Sequence, residues 1–150
     1  MAYPDNLQSI VDLFESLPEP ERREMLINYA ENSANCGPAE GEEFDLEDVR
    51  KDEECTDTVG IHLNVGEADA ADFKVSLGPK VQTLTRAMTS ILCKGLNGER
   101  LDVILATPDD FVPRVIGAEL VRLRSQTVYY VLSRMKGAAK VFLDRRAKGQ

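Results

Sequence analysis

Cys55 is the residue whose type and surroundings best suit group-transfer chemistry. It stands in the polar run 51–58, directly before an apolar/polar alternation over residues 59–65 that predicts a strand with one buried face. A thiol at the tip of a polar loop is accessible to another protein, and its thiolate is the reactive form. The sequence therefore predicts a nucleophilic or sulfur-accepting cysteine at position 55, with an incidental surface cysteine as the alternative.

The charges around this cysteine are negative. Asp52, Glu53, Glu54 and Asp57 flank it and, if close, favour the neutral thiol over the thiolate. Such a thiol is unreactive alone and becomes reactive when a partner supplies positive charge.

The remaining cysteines and the histidine carry weaker signals. Cys36 follows a predicted helix and Cys93 lies within one, so both are predicted to be small buried apolar residues. His62 alternates with apolar positions and is predicted to face solvent or the open side of the sheet. No closed set of cysteine and histidine ligands is present, so no metal site is predicted.

The overall charge limits the classes of partner that the protein is expected to bind. The net charge of −8 is opposite to what phosphate binding needs, which argues against nucleic acid. Residues 31–57 carry eleven acidic and two basic side chains, whereas 114–150 carry nine basic and two acidic ones. This asymmetry can orient a protein partner or can simply hold the two regions together.

Two features of the sequence predict a cytoplasmic protein. No apolar run approaches the roughly 18 residues that a membrane span needs. Residues 1–5 lack the basic start and apolar core of a signal peptide.

Four helical segments surround the predicted strands. Apolar residues recur at helical spacing within residues 7–17, 25–30, 81–95 and 128–142. Asp5 or Asn6 is predicted to cap the first helix, and Gly95 to end the third. Thr107 is predicted to cap a short helix that Gly117 closes, and residues 101–105 are compatible with either a helix or a strand.

The predicted sheet is small. Residues 59–65 and 73–77 alternate and should pair as an antiparallel hairpin, which needs helices over its apolar face. Residues 38–57 are acidic with few apolar residues and are predicted to form a surface loop. The prediction is one α+β domain over residues 1–150, a small antiparallel sheet covered by several helices, with a basic tail at 144–150.

The order of these parts resembles the SufE family of sulfur-acceptor proteins. Glu54-Cys55 and the strand after it resemble that family's cysteine loop and first strand. The other matching segments are 73–77, 92–111, Thr85-Arg86-Ala87-Met88 and Leu123-Arg124-Ser125-Gln126. Together they cover about residues 7–141. The family usually has Gln-Ser after the cysteine where this chain has Thr56-Asp57, often has a tryptophan near Gly60, and has glycine at the Ala87 position.

The resemblance implies a role and a set of residues. It implies that Cys55 accepts persulfide sulfur from a SufS-like cysteine desulfurase, activates that enzyme, and delivers the sulfur to iron–sulfur scaffold proteins. Pyridoxal phosphate would belong to the desulfurase, and this chain would need no cofactor and would not be an enzyme by itself. Further implied positions are Arg124 and Gln126 near the site, and Glu54, Thr56, Asp57 and Arg86 in partner binding. A monomer and a homodimer both remain open.

Two other functions are compatible with the sequence. The first is a non-catalytic interaction module of the same fold, which docks a partner through the acidic region. The second is a thiol redox sensor that pairs Cys55 with Cys36.

Overall fold

A computed structural model describes residues 3–52 and 57–149 as an α+β fold, which confirms the predicted class. The helices are α1 (Asp5–Ser16), α2 (Glu19–Glu31), α3 (Thr83–Leu96), α4 (Leu101–Ala106), α5 (Val112–Ile116) and α6 (Ala118–Ala147). The strands are β1 (Leu46–Asp52), β2 (Asp57–Val65) and β3 (Ala71–Leu77), with short 3-10 helices at Asn32–Cys36 and Glu67–Asp69.

Helices α1 and α2 follow one another along the chain, and both pack against α3. The stripe on α1 buries Leu7, Ile10, Val11 and Phe14 completely or nearly so, as its spacing predicts. The predicted side-chain cap is wrong: Pro4 precedes the helix and neither Asp5 nor Asn6 caps it. Proline fixes φ in the range that a helix start accepts, so the helix can begin there without a side-chain acceptor.

The sheet is antiparallel with strand order β1-β2-β3. The predicted β2–β3 hairpin is confirmed, with Ile61 opposite Val75 and Leu63 opposite Phe73. The predicted acidic loop is wrong over part of its length, because Leu46–Asp52 forms β1 along the other edge of β2. Among residues 46–51 of this strand only Leu46 is buried, and Val49 is exposed, so the strand has no alternating apolar pattern.

His62 lies on the side of the sheet away from Ile61 and Leu63, yet it is only 6% exposed. It therefore lies on the open side of the sheet, one of the two predicted placements, but it is buried there and does not face solvent. Its Nδ1 lies 2.6 Å from the Glu47 carboxylate, its Nε2 lies 2.9 Å from the Ser76 hydroxyl, and the Phe44 ring packs at 5.0 Å. Two polar partners and one aromatic ring make burial of the imidazole acceptable.

Helix α3 runs through the centre of the fold. Its buried surface extends beyond one stripe, since Thr85 and Thr89 are also fully buried. Gly95 does not end the helix as predicted. It lies within it, and a Cβ there would meet Leu7 of α1 at 3.0–3.2 Å. The glycine allows the two helices to approach closely, and Asn97 follows as the C-cap.

The segment after α3 also differs from the prediction in one place. Residues 101–106 form helix α4, so the helix is the correct one of the two predicted alternatives, helix and strand. Thr107 caps the C-terminal end of α4, and the next helix begins only at Val112, with Pro113 in its first turn. Gly117 closes α5 at φ 91° as predicted, a conformation that favours glycine.

Helix α6 packs on the sheet and places the buried guanidinium of Arg134 against it. Arg134 is 4% exposed. Its guanidinium donates to the Asp48 carboxylate at 3.1 Å, to the Asp48 carbonyl at 2.6 Å and to the Val59 carbonyl at 3.1 Å, and also to the Tyr130 hydroxyl. These contacts attach α6 to both β1 and β2. They also leave the charge and its donors satisfied, which a buried arginine requires.

Replacing Arg134 should destabilise the protein much more than replacing a neighbouring surface arginine. We expect Arg134→Met to lower the free energy of unfolding by about 2–4 kcal/mol, because two strand carbonyls and a carboxylate lose their donor. Arg50, which is exposed and 3.5 Å from the same Asp48 carboxylate, is the matched control, and Arg50→Met should cost less than about 0.5 kcal/mol. Urea unfolding measures the free energy of unfolding of both variants. Equal losses of stability would contradict the role assigned to the Arg134 contacts.

Candidate functional site

Three of the predicted site residues, Glu54, Cys55 and Thr56, lie outside the described residues. The structure describes the strand ends on either side of them. Asp52 at the end of β1 pairs with Asp57 at the start of β2, and Lys51 pairs with Thr58. In sequence, Cys55 therefore stands between two strand ends that are hydrogen-bonded neighbours.

Asp57 holds the start of β2 against the turn that follows β3. Its carboxylate accepts hydrogen bonds from the backbone N–H of Thr58 at 2.7 Å and of Lys80 at 2.8 Å. These hydrogen bonds, Lys80 first, hold the pKa of Asp57 below its usual range. The approach is close enough that a Cβ at Gly78 would lie 2.4–2.5 Å from the carboxyl group, so the turn requires glycine there.

Arg86 holds the same turn from the other side. Its guanidinium donates to the Gly78 carbonyl at 2.7 Å and to the Val81 carbonyl at 3.1 Å. The structure thus brings two predicted site residues, Asp57 and Arg86, to one turn at residues 78–81. Each uses backbone groups as partners, so both position the β2 end beside α3.

Arg124 lies beside the residues that directly follow the turn at 78–81. It interrupts the geometry of α6 with φ −134° and ψ 35°, and its exposed side chain lines a groove of about 300 Å³ together with Gln82 and Thr83. Gln82 directly follows the turn that Arg86 holds. Three of the predicted positions are therefore at the same end of α3. Gln126 is exposed on α6 and does not line this groove.

Cys36 and Cys93 lie at one pocket, a placement that the sequence does not predict. Cys36 is half-buried at the end of the 3-10 helix and Cys93 is buried in α3, and both line a cavity of about 650 Å³. Burial is as predicted for Cys93 and only partial for Cys36. No local pattern signals this placement, because it arises from the packing of the 3-10 helix on α3.

Within residues 3–52 and 57–149, no group of three or more His, Cys, Asp or Glu side chains is placed to hold a metal ion. None of the helices described there is long and apolar enough to cross a membrane.

Comparison with known proteins gives a family and a fold. Residues 8–139 match the family model described as SufE, Fe-S metabolism associated domain. The solution structure of a hypothetical protein from Thermus thermophilus is similar to this chain, with a TM-score of 0.73 and 23% sequence identity. That similarity covers 95% of this chain and 99% of the other, and it concerns the fold. No curated protein matches the chain.

The Asp57 contacts predict that the resonances of two backbone amides follow the titration of one carboxyl group. Because the pKa of Asp57 is lowered in the folded protein, its hydrogen bonds stabilise the turn at neutral pH and are lost as the pH falls through that lowered value. We expect the amide resonances of Thr58 and Lys80 to shift together, with one midpoint below about 3.9. A two-dimensional NMR titration measures this.

Asp57→Asn is the control for this titration, since it keeps the side-chain shape and removes the ionisable group. The shared pH-dependent shift of the Thr58 and Lys80 amide resonances should disappear in this variant. Separate midpoints for the two amides, or a step that persists in Asp57→Asn, would contradict the assigned contact.

Proposed function

Because the chain belongs to the SufE family and so acts in iron–sulfur metabolism, we propose that it is a sulfur acceptor. Cys55 receives persulfide sulfur from a cysteine desulfurase and passes it to iron–sulfur cluster assembly. The pyridoxal phosphate that cleaves cysteine belongs to the desulfurase. The chemistry needs free thiols, which favours a reducing compartment such as the cytoplasm.

The observation that carries this proposal is the support of both strand ends beside Cys55. The β1–β2 pair is attached to α6 through Arg134 and to the β3–α3 turn through Asp57. A carrier cysteine must be presented to a partner at a defined position, and a mobile tail would lose more conformational entropy on docking. The attachment of the flanking strands meets that requirement.

The proposed step is a thiol exchange on sulfur. The Cys55 thiolate attacks the terminal sulfur of the desulfurase persulfide, a new S–S bond forms on Cys55, and the partner's S–S bond breaks. The partner cysteine leaves as a thiolate, so no external oxidant or reductant is consumed. The same exchange onto an acceptor thiolate then releases the sulfur from Cys55.

Charge supports an interaction in which the partner activates the thiol. In sequence, Asp52, Glu53, Glu54 and Asp57 flank the cysteine, and Lys51 is the one basic residue of the run 51–58. This negative field disfavours a free thiolate, whereas a positively charged surface on the desulfurase would favour it. Arg124, beside the groove at the end of α3, offers a cation to the same partner, and Glu54 and Thr56 flank the cysteine in sequence.

The test of this proposal is persulfide formation on one cysteine. After incubation with a cysteine desulfurase, pyridoxal phosphate and cysteine, the intact protein should gain the mass of one sulfur atom, and reductant should remove it. Cys55→Ser should gain none, because the attacking thiolate is gone.

Cys36→Ser and Cys93→Ser are the matched controls, since each removes one thiol and leaves Cys55 in place. Both should still gain sulfur. Labelling of Cys55→Ser to the same extent as the wild type would contradict the proposal. A wild type that gains nothing, yet still binds a desulfurase, would favour the non-catalytic docking module.

A further inference from the structure

The pocket that Cys36 and Cys93 line is formed mainly by α2, the Asn32–Cys36 helix, β3 and α3. Its volume of about 650 Å³ is enough for a small organic molecule. One part of its wall is apolar and consists of side chains from Leu13, Met25, Tyr29 and Phe73. Most of the remaining wall is polar, so one ligand can contact an apolar and a polar surface together.

The charge of the pocket is opposite to that of the whole protein. The chain has a net charge of −8, yet Lys74 and Lys94 are the only charged side chains among the described residues that line the pocket. Within that described part, neither ammonium group forms an ion pair or donates a hydrogen bond. Asp72, two residues before Lys74 on β3, is exposed and does not line the pocket. Two cations without a carboxylate partner favour an anionic ligand.

Amide groups add neutral donors beside the lysines. Asn28, Asn32 and Asn35 line the pocket from α2 and the 3-10 helix. The Asn32 side chain donates to the Asn28 carbonyl at 2.8 Å, which closes the step between these two elements. Side-chain amides can donate hydrogen bonds to carboxylate oxygens, so the polar wall offers both charge and donors to an anion.

Hydrogen bonds between elements fix the walls of the pocket. Ser90 of α3 donates to the Tyr29 carbonyl of α2 at 2.6 Å. The Asn97 side chain, directly after α3, accepts from the Phe73 N–H at 2.7 Å and donates to the Phe73 carbonyl at 3.0 Å. Both α2 and β3 are therefore attached to α3 at the pocket. Because the walls are already ordered, a ligand loses little affinity to ordering them.

The Tyr29 ring joins the apolar and the cationic parts of the wall. Its centre lies 5.8 Å from that of the Phe14 ring, which is fully buried. The Lys94 ammonium lies 5.7 Å from the centre of the same ring. A cation is thus held beside an aromatic surface, which suits a ligand with a charged group next to an apolar body.

We propose that this pocket binds small carboxylates that carry an apolar ring. The ring packs against Tyr29 and Phe73, and the carboxylate is held by the ammonium groups of Lys74 and Lys94. None of the residues assigned to sulfur transfer lines the pocket, so this site does not depend on the proposed function.

The first test compares indole-3-acetate with tryptamine, which has the same ring and an ammonium group. The chain contains no tryptophan, so indole fluorescence excited beyond the absorption of tyrosine reports the ligand alone. Indole-3-acetate should bind at one saturable site, and tryptamine at least about tenfold more weakly, because its charge repels the two lysines. Acetate, which lacks the ring, should not displace indole-3-acetate at equal concentration. Equal affinities of the two indoles, or no saturation by millimolar indole-3-acetate, would overturn the proposal.

The charge preference has a matched control within the chain. Lys74→Gln with Lys94→Gln should weaken the binding of indole-3-acetate about tenfold, because both cations are removed. Lys140→Gln with Lys148→Gln removes the same charge from exposed positions of the C-terminal region and should leave the affinity unchanged. Equal effects of the two pairs would show that only overall charge matters and would overturn the assigned site.

A measurement without substitutions locates the ligand and guards against variants that fail to fold. Cys36 is half-buried and lines the pocket, so saturating indole-3-acetate should slow its alkylation in the wild type, as measured by peptide mapping. Cys55 is the internal control, because Lys51 and Asp57, the described residues on either side of it, do not line the pocket. Its alkylation rate should not change. An unchanged rate at Cys36, or equal slowing of both cysteines, would contradict binding at this pocket.

Discussion

The buried guanidinium of Arg134 is the interaction on which the arrangement of the sheet depends. A three-stranded sheet with one apolar face is weak by itself, and this one is held by α3 and α6. Arg134 reaches the carbonyls of Asp48 and Val59, which belong to different strands. One side chain therefore fixes the β1–β2 pair and its position against α6. The segment that carries Cys55 joins those two strands.

The sequence predicted the fold well where burial follows one stripe or alternates, as in α1, α6 and the β2–β3 hairpin. It failed where a contact between distant segments decides the structure. Strand β1 has mostly exposed charged residues, so its place beside β2 left no apolar pattern. The sequence predicts Gly95 at a helix end because its packing against Leu7 of α1 leaves no local pattern. The burial of His62 and the shared pocket of Cys36 and Cys93 likewise depend on other strands and helices.

Strand β1 lies at one edge of the described sheet, which has consequences for solubility. An edge strand presents backbone groups that another chain can pair with, and this is a common start of aggregation. Here the strand carries Glu47, Asp48, Arg50 and Lys51 in close succession. A second copy that paired with this edge would have to desolvate these charged side chains, which costs free energy. The charges that hid the strand from sequence analysis therefore also protect the folded protein against edge-to-edge association.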